Sequence, residues 1–339
     1  MTTQMFLEAA EAPDVVARQL AQNAPLLARV GASLRGRPPR AVVTCARGSS
    51  DHAATYARYL IEAHTPALTS SAAPSLSSIY DAGTDLRDAL FIAISQSGRS
   101  PDLLAATANA KSRGALTLAL CNSPDSPLMQ AADIAVPLHA GPEKSVAATK
   151  SYIASLAAVA QLVAHWSQDL ALSASLAQLP EQLARAWRCD WNAAVQVLAD
   201  AVNLYVVGRG FGLGIAQEAA LKLKETCGLH AEAFSSAEVR HGPMALVGAG
   251  FPVLMFAQDD DTRAGIESLA GEFAARGARV LLAGGQAPRA IALPTISAPA
   301  VLEPVLAIQS FYAMANALSL ARGLDPDRPP HLNKVTETV

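Results

Sequence analysis

One strand–turn–helix pattern is written twice along this chain, and no feature limits its fold more. In the first half an apolar run over 41–45 leads into the small-residue turn Arg47-Gly48-Ser49-Ser50-Asp51 and a predicted helix over 53–62. A strand over 90–94, a helix over 103–113, strands over 115–120 and 134–138, and an Ala-rich helix from about 146 to 165 complete it. The second half repeats the order, with a strand over 203–207, the turn Gly208-Arg209-Gly210-Phe211-Gly212 and a helix over 215–227. A strand over 251–256, a helix over 263–276, strands over 278–282 and 291–293, and a helix over 303–322 follow. Both halves place Arg-Gly after the first strand, and a basic-Gly break, Arg113-Gly114 and Arg276-Gly277, before a later one.

Strands alternating with helices predict βαβ units with right-handed crossovers. The strands read as near-continuous apolar runs, as parallel strands covered on both faces do. Each half is therefore expected to be a small doubly wound α/β domain, a mainly parallel sheet flanked by helices, the two related as a pseudo-twofold repeat. The 339 residues, 51% of them hydrophobic, suffice for two such cores. Residues 1–40 and 167–200 read as helical, with Asp14 as a cap of the first segment.

Net charge is −3 with no basic block, which argues against a nucleic-acid partner. The apolar stretches are broken every few residues by Gly, Pro or charge, so no membrane span is expected. The start, Met1-Thr2-Thr3-Gln4-Met5-Phe6, has neither the basic nor the apolar region of a signal peptide. Cys45, Cys121, Cys189 and Cys227 form no CxxC pair and show no zinc spacing, and the histidines show no metal spacing. A reduced, cytoplasmic protein without a metal is the expectation.

In such sheets ligands sit beyond the carboxyl ends of the strands. The stretch Ser95-Gln96-Ser97-Gly98-Arg99-Ser100 lies at one such end and opens a helix at Pro101-Asp102, with proline at a position where its missing N–H costs nothing. Hydroxyls, backbone N–H groups and the positive end of a helix dipole then converge on one spot, which suits a phosphate. An ordinary capped helix fits the same residues. The second half's matching turn, near Gln258 and Asp259, is acidic and ill-suited to phosphate.

Five segments resemble the sugar isomerase (SIS) domain family: Gly48-Ser49-Ser50; Ser95-Gln96-Ser97-Gly98; Val146-Ala147-Ala148-Thr149-Lys150; Ala220-Leu221-Lys222-Leu223-Lys224-Glu225 with His230-Ala231-Glu232-Ala233; and Arg240-His241-Gly242-Pro243. They are similar to the isomerase portion of glucosamine-6-phosphate synthase, and His331-Leu332-Asn333-Lys334 resembles its tail. That enzyme's glutaminase domain has a Cys after Met1, whereas Thr2 stands here and no room for such a domain is expected. Arg99 replaces an acidic residue of the synthase pattern. With Arg47-Gly48-Ser49-Ser50-Asp51-His52, Pro101-Asp102 and Phe234-Ser235-Ser236-Ala237-Glu238, the chain looks more like the stand-alone SIS-type glucosamine-6-phosphate deaminases.

The resemblance implies an N-terminal helical segment over 1–40, a phosphosugar-anchoring SIS domain over 41–166, a connector over 167–200, a second SIS domain over 201–325 with the catalytic helix and histidine loop, and a tail over 326–339. It implies phosphate contacts at Ser95, Gln96, Ser97 and Ser100, with Ser49 and Ser50 from the neighbouring turn, and backbone contacts to the sugar at Val146 and Ala148. Arg99 fits either a phosphate contact or a solvated side chain. Glu225 becomes the proton shuttle, supported by Lys222; their spacing alone favours a surface pair, with Glu218 on the same flank. His241 becomes the ring-opening acid/base, supplied by the neighbouring subunit of a homodimer, and Lys334 a lysine that closes over the sugar. The implied reaction converts glucosamine 6-phosphate and water to fructose 6-phosphate and ammonia, with no cofactor. A pure aldose–ketose phosphosugar isomerase, a deaminase of a related amino sugar phosphate and a non-enzymatic sugar-phosphate sensor are the alternatives.

Overall fold

The structure, a computed structural model, describes residues 2–80 and 83–334. The chain divides into two compact units, one gathering Asp14–Glu143, Lys150–Gln178, Asn333 and Lys334, the other residues 2–13, Lys144–Thr149 and Leu179–Leu332.

The first unit is built on β1 (Val42–Cys45), β2 (Thr69–Ser71), β3 (Leu90–Ser95), β4 (Leu116–Cys121) and β5 (Ile134–Pro137). All pair in parallel in the order β2-β1-β3-β4-β5. Every residue of β3 is buried, the pattern of a central strand covered on both faces. Helices Ser49–His64, Pro101–Ser112, Pro127–Ala131 and Lys150–Ser167 flank the sheet. Phe91, Ala93 and Ala119 pack against Leu103, Ala106 and Leu128 in one core cluster.

The second unit repeats the plan with β6 (Asn203–Gly208), β7 (His230–Ser235), β8 (Pro252–Phe256), β9 (Arg279–Ala283) and β10 (Ile291–Leu293), again all parallel, in the order β7-β6-β8-β9-β10. The two sheets share one strand order, so both halves reverse it between their first and third strands. Doubly wound sheets bind ligands at such a reversal, beyond the carboxyl ends of the strands. Tyr205, Val207, Val253 and Met255 pack with Ile266, Leu269 and Phe273 of the helix Arg263–Ala275. The helix Glu303–Ala321 is long and apolar enough to cross a membrane, with a mean hydropathy of 1.2, yet 78% of that window is buried inside the protein. It is a core helix that packs against Gln4–Ala10, Asn192–Leu198 and Leu213–Cys227.

Local departures from the sequence reading have physical reasons. Ser49, Ser50 and Asp51 form the first turn of the helix Ser49–His64 rather than the preceding loop. Thr3, whose hydroxyl accepts the Phe6 N–H, caps the first helix, while Asp14 lies inside the helix Ala12–Gly36. The Ala-rich helix begins at Lys150 rather than about 146, and Glu143 accepts the N–H and hydroxyl of Ser151 in its first turn. The edge strands β2 and β7 carry no apolar run and are not expected from the sequence.

Candidate active site

In the first unit β1 delivers Arg47 and Gly48 to the start of the helix Ser49–His64, and β3 delivers Ser95 to the start of the helix Pro101–Ser112. Neither N-cap residue supplies a side-chain cap; the Gly48 carbonyl accepts the Asp51 N–H in the first helix and Asp102 accepts the Leu103 N–H in the second. Pro101 holds the first helical position, as expected. The turn between β3 and its helix is braced from within: the Ser95 hydroxyl accepts the Gly98 N–H at 2.9 Å. Gly98 sits at φ 64°, and a Cβ there would run into the Ser126 hydroxyl and the Cys121 thiol, so only glycine fits. Ser95 is buried, whereas Gln96, Ser97 and Ser100 are half-buried at the turn's surface.

A cation is fixed across these two turns, and it is not Arg99. Arg99 is exposed. Arg47 instead donates its Nε–H to Asp102 Oδ2 at 2.8 Å, and the other Asp102 oxygen accepts the Leu103 N–H at 2.8 Å. The Asp102 side chain is wholly buried, so the carboxylate ties the β1 turn to the β3 helix and leaves the outer guanidinium nitrogens of Arg47 half-exposed. The repeated Arg-Gly dipeptide is the signal for this residue in the sequence. Burial pushes the nearby Asp51 carboxyl above the usual carboxylate range.

In the second unit the helix Leu213–Cys227 carries Glu218, Lys222 and Glu225 and ends at Gly228, whose φ of 60° closes it. Lys222 Nζ donates to Glu225 Oε2 and lies 3.6 Å from Glu218 Oε1. Tyr312, from the helix Glu303–Ala321, donates its hydroxyl to Glu218 Oε1 at 3.1 Å. Lys222 and Glu218 side chains are 1% and 0% exposed, against 20% for Glu225. The expected surface pair is thus a buried chain of charge that opens outward at one carboxylate. Glu225 lines a cavity of about 550 Å³ with Leu221, Arg328 and Leu332 among its walls.

The remaining candidates sit apart. His241 is exposed on the short 3-10 turn Glu238–His241 that follows β7, and among the described residues no hydrogen bond or ion pair of its ring is found. Lys334 Nζ lies 3.6 Å from Glu143 Oε2, a wholly buried carboxylate that also accepts the Ser151 N–H at 3.1 Å and hydroxyl at 2.6 Å. Val146 and Ala148 lie in the loop that precedes Lys150. The second unit's counterpart of the serine turn is closed on itself: Gln258 Nε2 donates to the Arg209 carbonyl at 2.8 Å and to Asp260 and Thr262 at 3.1 Å.

Burial pushes the Cys45 thiol up to about 12 and the Cys227 thiol to about 11, so neither supplies a thiolate near neutrality. Among the described residues no group of three or more His, Cys, Asp or Glu is placed to hold a metal ion.

Two five-stranded parallel sheets of the same order, with a serine-rich turn in one half and a helix carrying a buried Glu–Lys–Glu chain in the other, define a tandem doubly wound α/β protein. The SIS domain description matches residues 37–165 and 197–319, and the chain belongs to that family. It is 32% identical over 326 residues to the glutamine–fructose-6-phosphate aminotransferase [isomerizing] of Chlorobaculum tepidum, a match covering 88% of this chain and 51% of that protein. The chain therefore spans about half the length of the curated relatives it matches. Among solved structures, a candidate phosphosugar isomerase from Silicibacter pomeroyi is 46% identical with a TM-score of 0.92, covering 96% of this chain and 100% of that one. Glucosamine-6-phosphate deaminase from Thermotoga maritima shares the fold, with a TM-score of 0.79 at 21% identity, covering 99% of this chain and 100% of that one.

Proposed function

We propose that this protein is an amino sugar phosphate deaminase that converts glucosamine 6-phosphate and water to fructose 6-phosphate and ammonia. One observation carries the reading most: Glu225 is a cavity-lining carboxylate held by a buried lysine. A group that moves a proton between adjacent carbons must be fixed and reachable, and this one is both.

In this reading the phosphate is taken by Ser97, Ser100 and Gln96, with Ser49 and Ser50 from the neighbouring helix turn and Ser95 shaping the site. Arg47 adds a fixed positive charge. The backbone at Val146 and Ala148 holds the sugar. His241, supplied by a second copy of the chain, opens the ring by moving a proton between the ring oxygen and the C1 hydroxyl; its exposure without an internal partner supports this. Glu225 removes the C2 proton and returns it to C1, giving the C2 ketimine. Water adds to C2, and ammonia leaves as the C2 carbonyl forms. Lys222 holds Glu225 through both transfers, and Lys334 closes over the sugar. Every step uses acid–base groups of the chain.

The second reading is a phosphosugar aldose–ketose isomerase that stops before ammonia is lost, favoured by the description of the 46% identical Silicibacter protein. Glu225 serves both reactions alike. The purified protein incubated with glucosamine 6-phosphate, with ammonia and fructose 6-phosphate assayed together, separates them. The deaminase reading expects the two products in equal amounts. Isomerisation of phosphosugars without ammonia release would leave the second reading. Binding without turnover would leave a sugar-phosphate sensor.

A further inference from the structure

We infer that Glu8, in a helix outside the segments the SIS description covers, is a positioning residue that sets the sugar-binding loop 144–149. The inference rests on the role proposed above for Val146 and Ala148.

Glu8 is a carboxylate only 1% exposed. A buried carboxylate is tolerated when its oxygens are taken by donors. Here Oε1 accepts the Lys144 N–H at 2.5 Å and the Gln4 amide at 3.0 Å, and Oε2 accepts the Ser145 N–H at 3.1 Å. The two backbone donors are consecutive and lie just before Val146. A carboxylate that grips two successive N–H groups fixes the course of the chain at that point.

The helix that carries Glu8, Gln4–Ala10, is anchored at both ends. At its start Asp327 accepts the N–H groups of Gln4 and Met5, each at 2.6 Å, where a negative charge also meets the helix dipole. Thr3 donates its hydroxyl to Asn316 at 2.5 Å. At its end Gln309 Nε2 donates to the Ala9 carbonyl at 3.0 Å. Asn316 and Gln309 belong to the helix Glu303–Ala321, which also carries Tyr312, the donor to Glu218. One rigid helix therefore references both the loop, through Glu8, and the charge chain that ends at Glu225. The N-terminal helix transmits the position of the final helix to the sugar loop.

The test compares the full-length protein with Glu8→Ala and the milder Glu8→Gln, which keeps one acceptor oxygen. Backbone hydrogen exchange at Lys144 and Ser145 is read first, because it needs no substrate. Both amides should be protected in the parent and exchange at least tenfold faster in Glu8→Ala, with Glu8→Gln between, while the amides of Leu213–Cys227 stay unchanged. In the ammonia assay KM for glucosamine 6-phosphate should rise about tenfold with kcat within about twofold. Unchanged exchange at both amides overturns the inference, as does a fall in kcat at constant KM, the mark of lost folded protein. A parent that shows loop protection by Glu8 but releases no ammonia removes the proposed reaction and leaves the clasp standing.

Discussion

The two halves share a strand order, an Arg-Gly turn and a helix after the first strand, yet they use these parts differently. In the first half the helix Ser49–His64 carries Arg58 and Glu62 as an i,i+4 pair 3.5 Å apart, 59% and 34% exposed. In the second half the corresponding helix carries Lys222 between Glu218 and Glu225, almost wholly buried. The turns after the third strands divide the other way. Ser95–Ser100 presents hydroxyls and N–H groups, while Gln258 consumes the hydrogen-bonding capacity of its own turn. The two halves are equivalent in strand order, and side chains alone distinguish the serine turn of one from the buried Glu218–Lys222–Glu225 chain of the other.

Replacing each helix's basic residue should sharpen that contrast. Lys222→Met removes the buried cation from between Glu218 and Glu225 and should cost about 3–5 kcal/mol in denaturant unfolding. Arg58→Met, which breaks a solvated pair, should stay within about 1 kcal/mol. Similar losses in both would erase the distinction between the helices.

The turns admit a smaller test. Ser97→Ala with Ser100→Ala removes hydroxyls assigned to a charged phosphate and should raise KM about tenfold or more. Asp260→Ala, in the self-closed turn, should leave KM within about twofold. Equal sensitivity of the two turns would mean that the phosphate does not distinguish the halves.

Much of the fold is legible in the sequence because central parallel strands are apolar runs and their turns are rich in Gly and Ser. The strands β3, β8 and β9 lie within a residue of their expected bounds. The strands β2 and β7 are not legible: each is an edge strand in which only Thr69 or Ala231 is buried, so no hydrophobic pattern marks it. Glu225 can be named from its motif, but spacing leaves Lys222 and Glu225 as a surface pair. The three-dimensional packing buries the chain of charge, with Tyr312, 94 residues from Glu218 in sequence, donating to it. The motif names Asp102 but not its bond to Arg47, and no pattern marks Glu8, since their partners, Arg47 and the Lys144–Ser145 backbone, are distant in sequence. The serine turn after β3 is legible because its parts are consecutive.

The most direct test of the account follows the proton itself. Glucosamine 6-phosphate and fructose 6-phosphate are incubated in heavy water with the parent and with Glu225→Gln, and deuterium entering C1 or C2 is read by NMR. The parent should exchange at these carbons. Glu225→Gln should still bind fructose 6-phosphate in a calorimetric titration while its exchange falls by a factor of about a thousand, within the range general acid–base groups supply. Exchange that persists in Glu225→Gln at the parent rate would contradict the assignment of the second half as the seat of proton transfer.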